Sequence, residues 1–437
     1  MKLKWLMAVF IAVLPVQAFG VDVQRVESDK GIVAWLVEDH SNPVVAIRFA
    51  FLGGSELDPV GKKGLANLAA STMDEGAGEM DSQMFQQTLT DQSITLRFEA
   101  GYDRFSGRIK TLTENLDRSA ELMNLALTQP RFDQEPVARL KSQIISGIRS
   151  SSERPGKIAY NALYQTMFDG HGYAHDSDGT VETVEAITQD DLKAFVRTRL
   201  GRENLIIGVT GDVTAEQLKV ILDQAFGNLP GQPAFQHQPH TQAKVSGKLE
   251  VIERDIPQST IVFGQAGLKR QDPDYYAVLV MNHILGGGSF TSRLYDEVRE
   301  KRGLAYSVGT GNYPMALAGV LIGSAATENA RVAETVDVIR TEWARMANGD
   351  ITEAELTSAK NYVMGSFPLT LTSTDTIARV LVSMQINDLG LEYLDRRKTY
   401  IGAVSRDDVN RVARTLLKPD ALDIIIVGRP AGIVSKP

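Results

Sequence analysis

The sequence predicts an α+β fold of two repeated domains, each an antiparallel sheet covered on one face by helices. Three observations support this prediction. Strand-like segments alternate apolar and polar residues and come in hairpins, a pattern typical of antiparallel sheets with one buried face. Segments with apolar residues three and four apart separate them and predict amphipathic helices. A chain of 437 residues also exceeds one ordinary core, and its second half repeats patterns of the first.

The repeat is visible in short matched segments. Residues 187–192 (Ile-Thr-Gln-Asp-Asp-Leu) align without gaps with residues 404–409 (Val-Ser-Arg-Asp-Asp-Val). The pattern Phe-Asp-Gln-Glu at 132–135 likewise matches Ile-Thr-Glu-Ala at 351–354, and a lysine follows each at the same distance. These matches predict two copies of one unit of about 200 residues.

The domain boundaries follow from the repeat and from composition. We predict a first domain over residues 22–228 and a second over residues 248–437. The segment 229–247 is rich in Pro, Gln, Gly and His and has no apolar period, so it is interpreted as a linker.

Individual elements follow from periodicity. Apolar residues at every second position predict half-buried strands over 45–51 and 94–98. Apolar residues at helical spacing predict helices over 64–73, 116–127 and 332–346. The last two helices occupy equivalent places in the two copies.

The first 18 residues have the three parts of a secretory signal. Lys2 and Lys4 precede an apolar run over 5–14, and Val-Gln-Ala at 16–18 is a small-residue cleavage site. The run is too short for an ordinary membrane span. We therefore expect an exported protein, periplasmic or secreted, with no stable membrane span after cleavage; an uncleaved anchor is the alternative.

Composition excludes some classes of function. The chain has no cysteine, so it has neither disulfides nor a lipid-attachment thiol. Its formal charge of −8 becomes −10 when a signal with two lysines and no acidic residue is removed. Such a surface repels phosphate backbones, and nucleic acid is not expected as a partner.

A corner between a helix and a strand holds the main candidate site. Apolar residues at helical spacing over 294–298 predict the helix, Gly303 ends it, and alternation over 304–308 predicts the strand. This corner can bring Arg299 and Tyr306 to one sheet edge. On spacing alone, Arg299 would be a solvated helix residue and Tyr306 a half-buried strand aromatic.

This stretch resembles the C-terminal signature of the pitrilysin/insulinase family of zinc metallopeptidases, of the type with a degenerate zinc motif. A glycine-containing turn, Ser-Arg-Leu at 292–294 and Gly-Leu-Ala-Tyr at 303–306 occur in the family's order. The resemblance covers nearly all residues after the signal. It implies half of a metallopeptidase clam shell, in which Arg299 and Tyr306 bind the substrate or the transition state.

The family's metal motif is missing. The family places His-x-x-Glu-His on a helix, where two His bind zinc and the Glu activates water. The matching positions read Asn67-Leu-Ala-Ala-Ser71, with Ala70 at the general base, and the third ligand falls at about Gly147. Neither Asn nor Ser is a usual zinc ligand. We expect no metal in this chain.

Other candidate sites are weaker. His171 and His175 have helical spacing, but the glycines between and before them predict a loop. His237 and His240 lie in the linker with no nearby carboxylate. The triple glycine at 286–288 lacks the Gly-Lys-Ser/Thr of a phosphate loop. Without a Gly-x-Ser-x-Gly elbow or a cysteine, serine or thiol peptidase chemistry has no basis.

The resemblance leads to a functional hypothesis. It implies an exported, non-catalytic subunit of a heteromeric zinc endopeptidase, which supplies Arg299 and Tyr306 to the zinc site of a homologous partner. The chain then needs no cofactor of its own, is not active alone, and shares a peptide substrate with its partner. The alternative is an inert peptide-binding or scaffold protein, with a homodimer as one form of it. A third hypothesis is a complete enzyme whose metal ligands are not recognised in the sequence.

Overall fold

The computed structural model describes residues 22–236 and 238–436. The predicted signal at 1–18 and His237 lie outside the described residues. Within the described ranges, no helix combines the length and apolar character that a bilayer span needs. Two sheets organise this part of the chain, one from each half.

The strands of the described residues are divided between the two halves of the chain. The first sheet contains β1 (Gln24–Glu27), β2 (Val33–Glu38), β3 (Val44–Leu52), β4 (Thr95–Ala100), β5 (Arg104–Leu112) and β6 (Leu205–Gly211). The second contains β7 (Leu249–Glu253), β8 (Gln258–Ala266), β9 (Ala305–Pro314), β10 (Gly319–Glu328) and β11 (Asp423–Gly428).

The two sheets share one topology. Their strand orders are β1-β2-β6-β3-β5-β4 and β7-β11-β8-β10-β9. Strand β2 runs parallel to β6, β7 runs parallel to β11, and the neighbouring pairs in each sheet are antiparallel. The same order and the same single parallel pair, after allowing for the extra β1, are what an internal repeat produces.

The helices follow the same division. The first half holds α1 (Leu65–Thr72), α2 (Ser82–Asp91), α3 (Leu116–Thr128), α4 (Gln134–Ser152), α5 (Pro155–Met167), α6 (Val181–Glu185), α7 (Gln189–Arg199) and α8 (Ala215–Phe226). The second holds α9 (Tyr275–Asn282), α10 (Val332–Ala347), α11 (Glu353–Ser366), α12 (Thr374–Ile386), α13 (Tyr393–Ala403) and α14 (Arg406–Leu416).

Each sheet has its own core on one face. In the first half, Ile47, Phe49 and Ile109 of the strands pack with Met123 of α3. In the second half, Trp343 of α10 is fully buried and donates from its indole nitrogen to the Gln265 side chain at 3.0 Å. A buried Trp usually needs such a partner for its N–H group.

The opposite face of each sheet is covered by a helix from the other half. Leu163 and Met167 of α5 pack with Val262 and Ile425 of the second sheet. Helix α12 lies on β6 and β3 of the first sheet. Gly208 on β6 allows this crossing, since a Cβ there would lie 2.4 Å from the Ala378 carbonyl oxygen.

The predicted fold class is confirmed, with two refinements. Each sheet carries one parallel pair at its β2–β6 or β7–β11 position. Strand β3 is buried on both faces rather than half-buried, because α12 covers the face that sequence periodicity left to solvent. The domain boundaries stay a prediction.

Candidate functional site

The corner after α9 is built as the sequence suggests, with one change in helix type. A π-helical segment, Tyr295–Glu300, replaces the expected α-helix. It ends where Gly303 takes a φ of 58°, and the Gly303 N–H donates to the Arg299 carbonyl at 2.9 Å. Glycine adopts this left-handed conformation without a Cβ clash. The chain then enters β9.

A β-bulge turns Tyr306 outward. On β9, Tyr306 and Ser307 stand opposite the single residue Ala326 of β10. The extra residue breaks the strict alternation, so Val308 stays buried while Tyr306 is 82% exposed. Spacing alone would make Tyr306 half-buried, and the bulge is the physical reason that it is exposed instead.

Arg299 lies among aromatic rings. Its guanidinium carbon is 4.6 Å from the ring centre of Tyr306, 4.9 Å from that of Tyr295 and 6.0 Å from that of Phe290. It also donates to the Tyr295 hydroxyl and approaches Glu300 at 3.8 Å. Cation–π contacts at exposed sites contribute about 0.5–1 kcal/mol each. They hold the guanidinium beside Tyr306.

Arg299 and Tyr306 have hydrogen-bond donors that are not used within the fold. Arg299 carries five N–H groups, and among the described residues no group hydrogen-bonds the Tyr306 hydroxyl. A guanidinium and a phenol side by side can both donate to a carbonyl oxygen or a carboxylate. Sequence reasoning missed Phe290 and Tyr295, although Tyr295 stands one helical turn before Arg299, where side chains meet.

The degenerate metal positions lie on α1 and are occupied by internal contacts. Asn67 donates from its amide to Asp178 at 3.3 Å. Ser71 donates from its hydroxyl back to the Asn67 carbonyl at 2.9 Å. Ala70 is buried and carries no group for proton transfer. These side chains are thus engaged within the fold.

Gly147 lies on α4, which packs against α1. It is exposed, and a Cβ added there would meet no atom within 4 Å. The structure thus places the three predicted ligand positions on two neighbouring helices. Over residues 22–236 and 238–436, no group of three or more His, Asp or Glu side chains is arranged to hold a metal ion.

A lysine centres a polar network beside these positions. The Lys157 ammonium lies 2.7 Å from Asp176 and 3.4 Å from Asp178. Asn161 donates to Asp176 at 3.0 Å. Burial lowers the pKa of Lys157, but the hydrogen bond to Asp176 and the two negative charges raise it overall. Sequence reasoning missed this network, for which the Asp-Ser-Asp run at 176–178 was the available signal.

The weaker candidates keep structural roles. A short 3₁₀ turn, Gly172–Ala174, separates His171 and His175, so they do not share a helical face. Burial lowers the pKa of both imidazoles. His240 lies 3.2 Å from the Lys269 ammonium, and the triple glycine continues a π turn, His283–Gly287.

Comparison with known proteins fits this geometry. Residues 186–363 match the family described as the Peptidase M16 inactive domain. A crystal structure of a peptidase M16 inactive domain from Pseudomonas fluorescens covers 95% of this chain and 99% of its own length. The two agree with a TM-score of 0.87 and 29% identity. This chain is similar in sequence and in fold to the M16 peptidases. The predicted pitrilysin/insulinase relationship is confirmed.

Relatives of this chain carry two kinds of name. The Helicobacter pylori protein named non-peptidase homolog YmxG is 27% identical over 84% of each chain. The Streptomyces coelicolor protein named uncharacterized zinc protease SCO5738 is 28% identical over 70% of this chain and 68% of its own. Together with the residues at the metal-motif positions, the inactive-domain and non-peptidase descriptions support a non-catalytic status for this chain on its own.

Proposed function

We propose that this chain is an exported subunit of a heteromeric zinc endopeptidase and supplies Arg299 and Tyr306 to its partner's zinc site. One observation carries the proposal: a bulge exposes Tyr306 beside a guanidinium. An inert fold would gain stability by burying such a ring, since an exposed aromatic side chain forgoes about 1.5–3 kcal/mol of burial energy.

The chemistry follows from the donors. In peptide hydrolysis, negative charge develops on the oxygen of the scissile carbonyl. The zinc of the partner would supply the activated water. Arg299 and Tyr306 would donate to that oxygen, or to the adjacent backbone, in the closed complex. A donor placed in this way typically contributes about 10²–10³ in turnover.

Strand β9 supports peptide binding. Among the described strands it is an outer strand of the second sheet, and its neighbour there is β10. The unpaired side of an edge strand can accept an extended peptide through main-chain hydrogen bonds. Tyr306, near the start of β9, would then lie beside the peptide backbone. Recognition through main-chain hydrogen bonds depends little on the amino-acid sequence of the peptide.

The second half also exposes apolar side chains that a partner would cover. Phe290 is 74% exposed, Leu369 72% and Tyr362 60%. Exposed aromatic groups of this kind are enriched at protein interfaces. An obligate interface would bury about 2,000 Å² or more. The signal-like segment at 1–18 supports export to the periplasm or beyond.

Co-expression tests the proposal. The chain is produced with an M16 homologue of the same cell that retains His-x-x-Glu-His, and size-exclusion chromatography, zinc content and peptide hydrolysis are measured. We expect a stable complex with about one zinc per pair, active only when both chains are present. A chain that associates with no such homologue, or a homologue fully active alone, contradicts the proposal and leaves the scaffold reading.

A further inference from the structure

The face of the first sheet that carries α12 is rich in arginine. Arg48 on β3 stands directly opposite Arg108 on β5, and Arg108 stands directly opposite Arg97 on β4. Directly opposite residues point to the same face of a sheet, and like charges in this position destabilise it. Arg104, four residues before Arg108 on β5, shares this face.

Carboxylates pair with only some of these arginines. Arg97 lies 2.9 Å from Asp74. Asp375 of α12 binds Arg48 through two hydrogen bonds of 2.7 and 2.5 Å. Hydrogen bonding by Arg48 lowers the pKa of Asp375, and the charges of Arg108 and Arg379 lower it further. Among the described residues, Arg104, Arg108 and Arg379 form no ion pair.

A cavity opens at this cluster. It has a volume of about 440 Å³ and is lined by Arg48 and Arg104 from the sheet and by Arg379 from α12. Glu99 is the only carboxylate among its described lining residues. The Nε atom of Arg108 is buried without a hydrogen-bond partner. A buried donor without a partner is costly. Arg108 is not among the described lining residues, so a ligand in the cavity would meet the charge of Arg108 and not this atom.

We propose that this arginine-lined face binds the carboxylates of an extended acidic peptide segment. Arg104 and Arg108 are four residues apart on one strand, which separates them by about 13 Å. One small anion cannot bridge that distance. An extended peptide presents a side chain to the same face every second residue, about 7 Å apart, and therefore can contact both ends of the cluster.

Arginine suits this ligand. Its planar guanidinium matches a carboxylate through two parallel hydrogen bonds, and it stays charged at every physiological pH. The cluster also stands out in a chain of formal charge −8, so its cations are a local feature and not a general property of the surface. This inference does not depend on Arg299, on Tyr306 or on a partner subunit.

Fluorescence anisotropy tests the site with the whole chain. Labelled hexaglutamate is titrated at about 50 mM salt, with hexaglutamine as the uncharged control. The variants are Arg104→Gln and Arg379→Gln, two exposed side chains without ion pairs. We expect each to weaken hexaglutamate binding about threefold to tenfold. Asp375→Asn should tighten binding, because it removes a competing carboxylate from Arg48.

The matched control is Arg118→Gln. Arg118 lies on α3, against the opposite face of the same sheet, and its loss changes the net charge equally. Its ion pair with Glu121 is exposed and contributes little to stability. Thermal unfolding shows that each variant is folded. Failure of the folded protein to bind hexaglutamate below about 1 mM, or an equal loss in Arg118→Gln, overturns the proposal. Tighter binding of an oligothymidylate than of hexaglutamate overturns the choice of ligand.

Discussion

The two halves of this chain share a topology, but their candidate sites differ in whether the polar groups are bonded within the fold. In the first half, the side chains of Asn67 and Ser71 form hydrogen bonds within the fold. In the second half, Tyr306 is turned out of its sheet and its hydroxyl has no partner among the described residues. Groups bonded internally contribute to stability, whereas groups left open are available for a ligand or a partner.

Two acids, one from each half, have pKa values shifted in opposite directions. Burial raises the pKa of Glu56, in the first half, to about 7. Burial would likewise raise the pKa of Glu355, in the second half, but hydrogen bonds from Arg293 lower it to about 2. The folded state destabilises the carboxylate form of Glu56 and stabilises the carboxylate form of Glu355. Substitution of each should therefore change stability with opposite sign.

The largest expected effect is on turnover in the reconstituted complex. Arg299→Ala should lower kcat by about 10²-fold or more, because one donor to the developing negative charge is lost. Zinc content and assembly should not change. Arg302→Ala is the control, since Arg302 lies in the same corner and bonds to Glu297. Unchanged kinetics for Arg299→Ala would remove the functional contrast between the halves.

The second prediction concerns pH. The folded pKa of Glu56 is raised above its unfolded value of 4.5, so its contribution to stability is fully present below pH 4.5 and is lost as pH rises through about 7. Glu56→Gln should remove that loss and raise the free energy of unfolding at pH 8 by about 2 kcal/mol.

Glu355→Gln provides the opposite case. The folded pKa of Glu355 is lowered, so its stabilising contribution is present above pH 4.5 and is lost as pH falls towards 2. The variant should be about 2 kcal/mol less stable at pH 7. Urea unfolding at pH 4, 6 and 8 measures both. Parallel pH profiles for wild type and Glu56→Gln would contradict the assignment to Glu56.

A smaller effect is expected from Lys157→Ala. The substitution leaves Asp176 and Asp178 facing each other without the ammonium between them. Because Lys157 is 31% exposed, we expect a loss of only about 1 kcal/mol in the free energy of unfolding. Lys398→Ala, on the exposed side of α13, is the matched control and should be neutral. Equal free energies of unfolding for Lys157→Ala and Lys398→Ala would mean that the Lys157 network does not stabilise the first half.

The smallest effect should come from Tyr306→Ala in the isolated chain. The ring is 82% exposed, so its removal should change the free energy of unfolding by less than about 0.5 kcal/mol. Tyr173→Phe is the comparison, because the buried Tyr173 hydroxyl bonds to Asp103 and its loss should cost about 1 kcal/mol. A stability loss at Tyr306 as large as at Tyr173 would indicate a structural role for Tyr306.

Local patterns in the sequence were sufficient for much of the fold. The apolar period of α10 and the alternation over β4 depend on neighbours a few residues away, and both elements form as predicted. The helix exchange was not predictable, because periodicity does not say which half covers a face. The sequence thus predicts a half-buried β3, yet α12, more than 300 residues later, covers the second face of that strand.

The candidate site also has features that local sequence predicts and features that it does not. The Gly303 corner follows from local chemistry, since only a glycine readily takes its φ of 58°. The outward turn of Tyr306 depends on how β9 pairs with β10, and one additional residue in that pairing reverses its face. The approach of Asp178 to Asn67 joins positions 111 residues apart, which no local pattern encodes.

The exchanged helices also set an order of events on the ribosome. Strand β6 ends at Gly211, but α12, which covers it, is complete only at Ile386. Between the two lie 175 residues, which synthesis at about 5–20 residues per second adds in roughly 9–35 s. During that interval an apolar and arginine-rich surface is open on the nascent chain. The first half therefore cannot reach its final packing during synthesis until most of the second half has emerged.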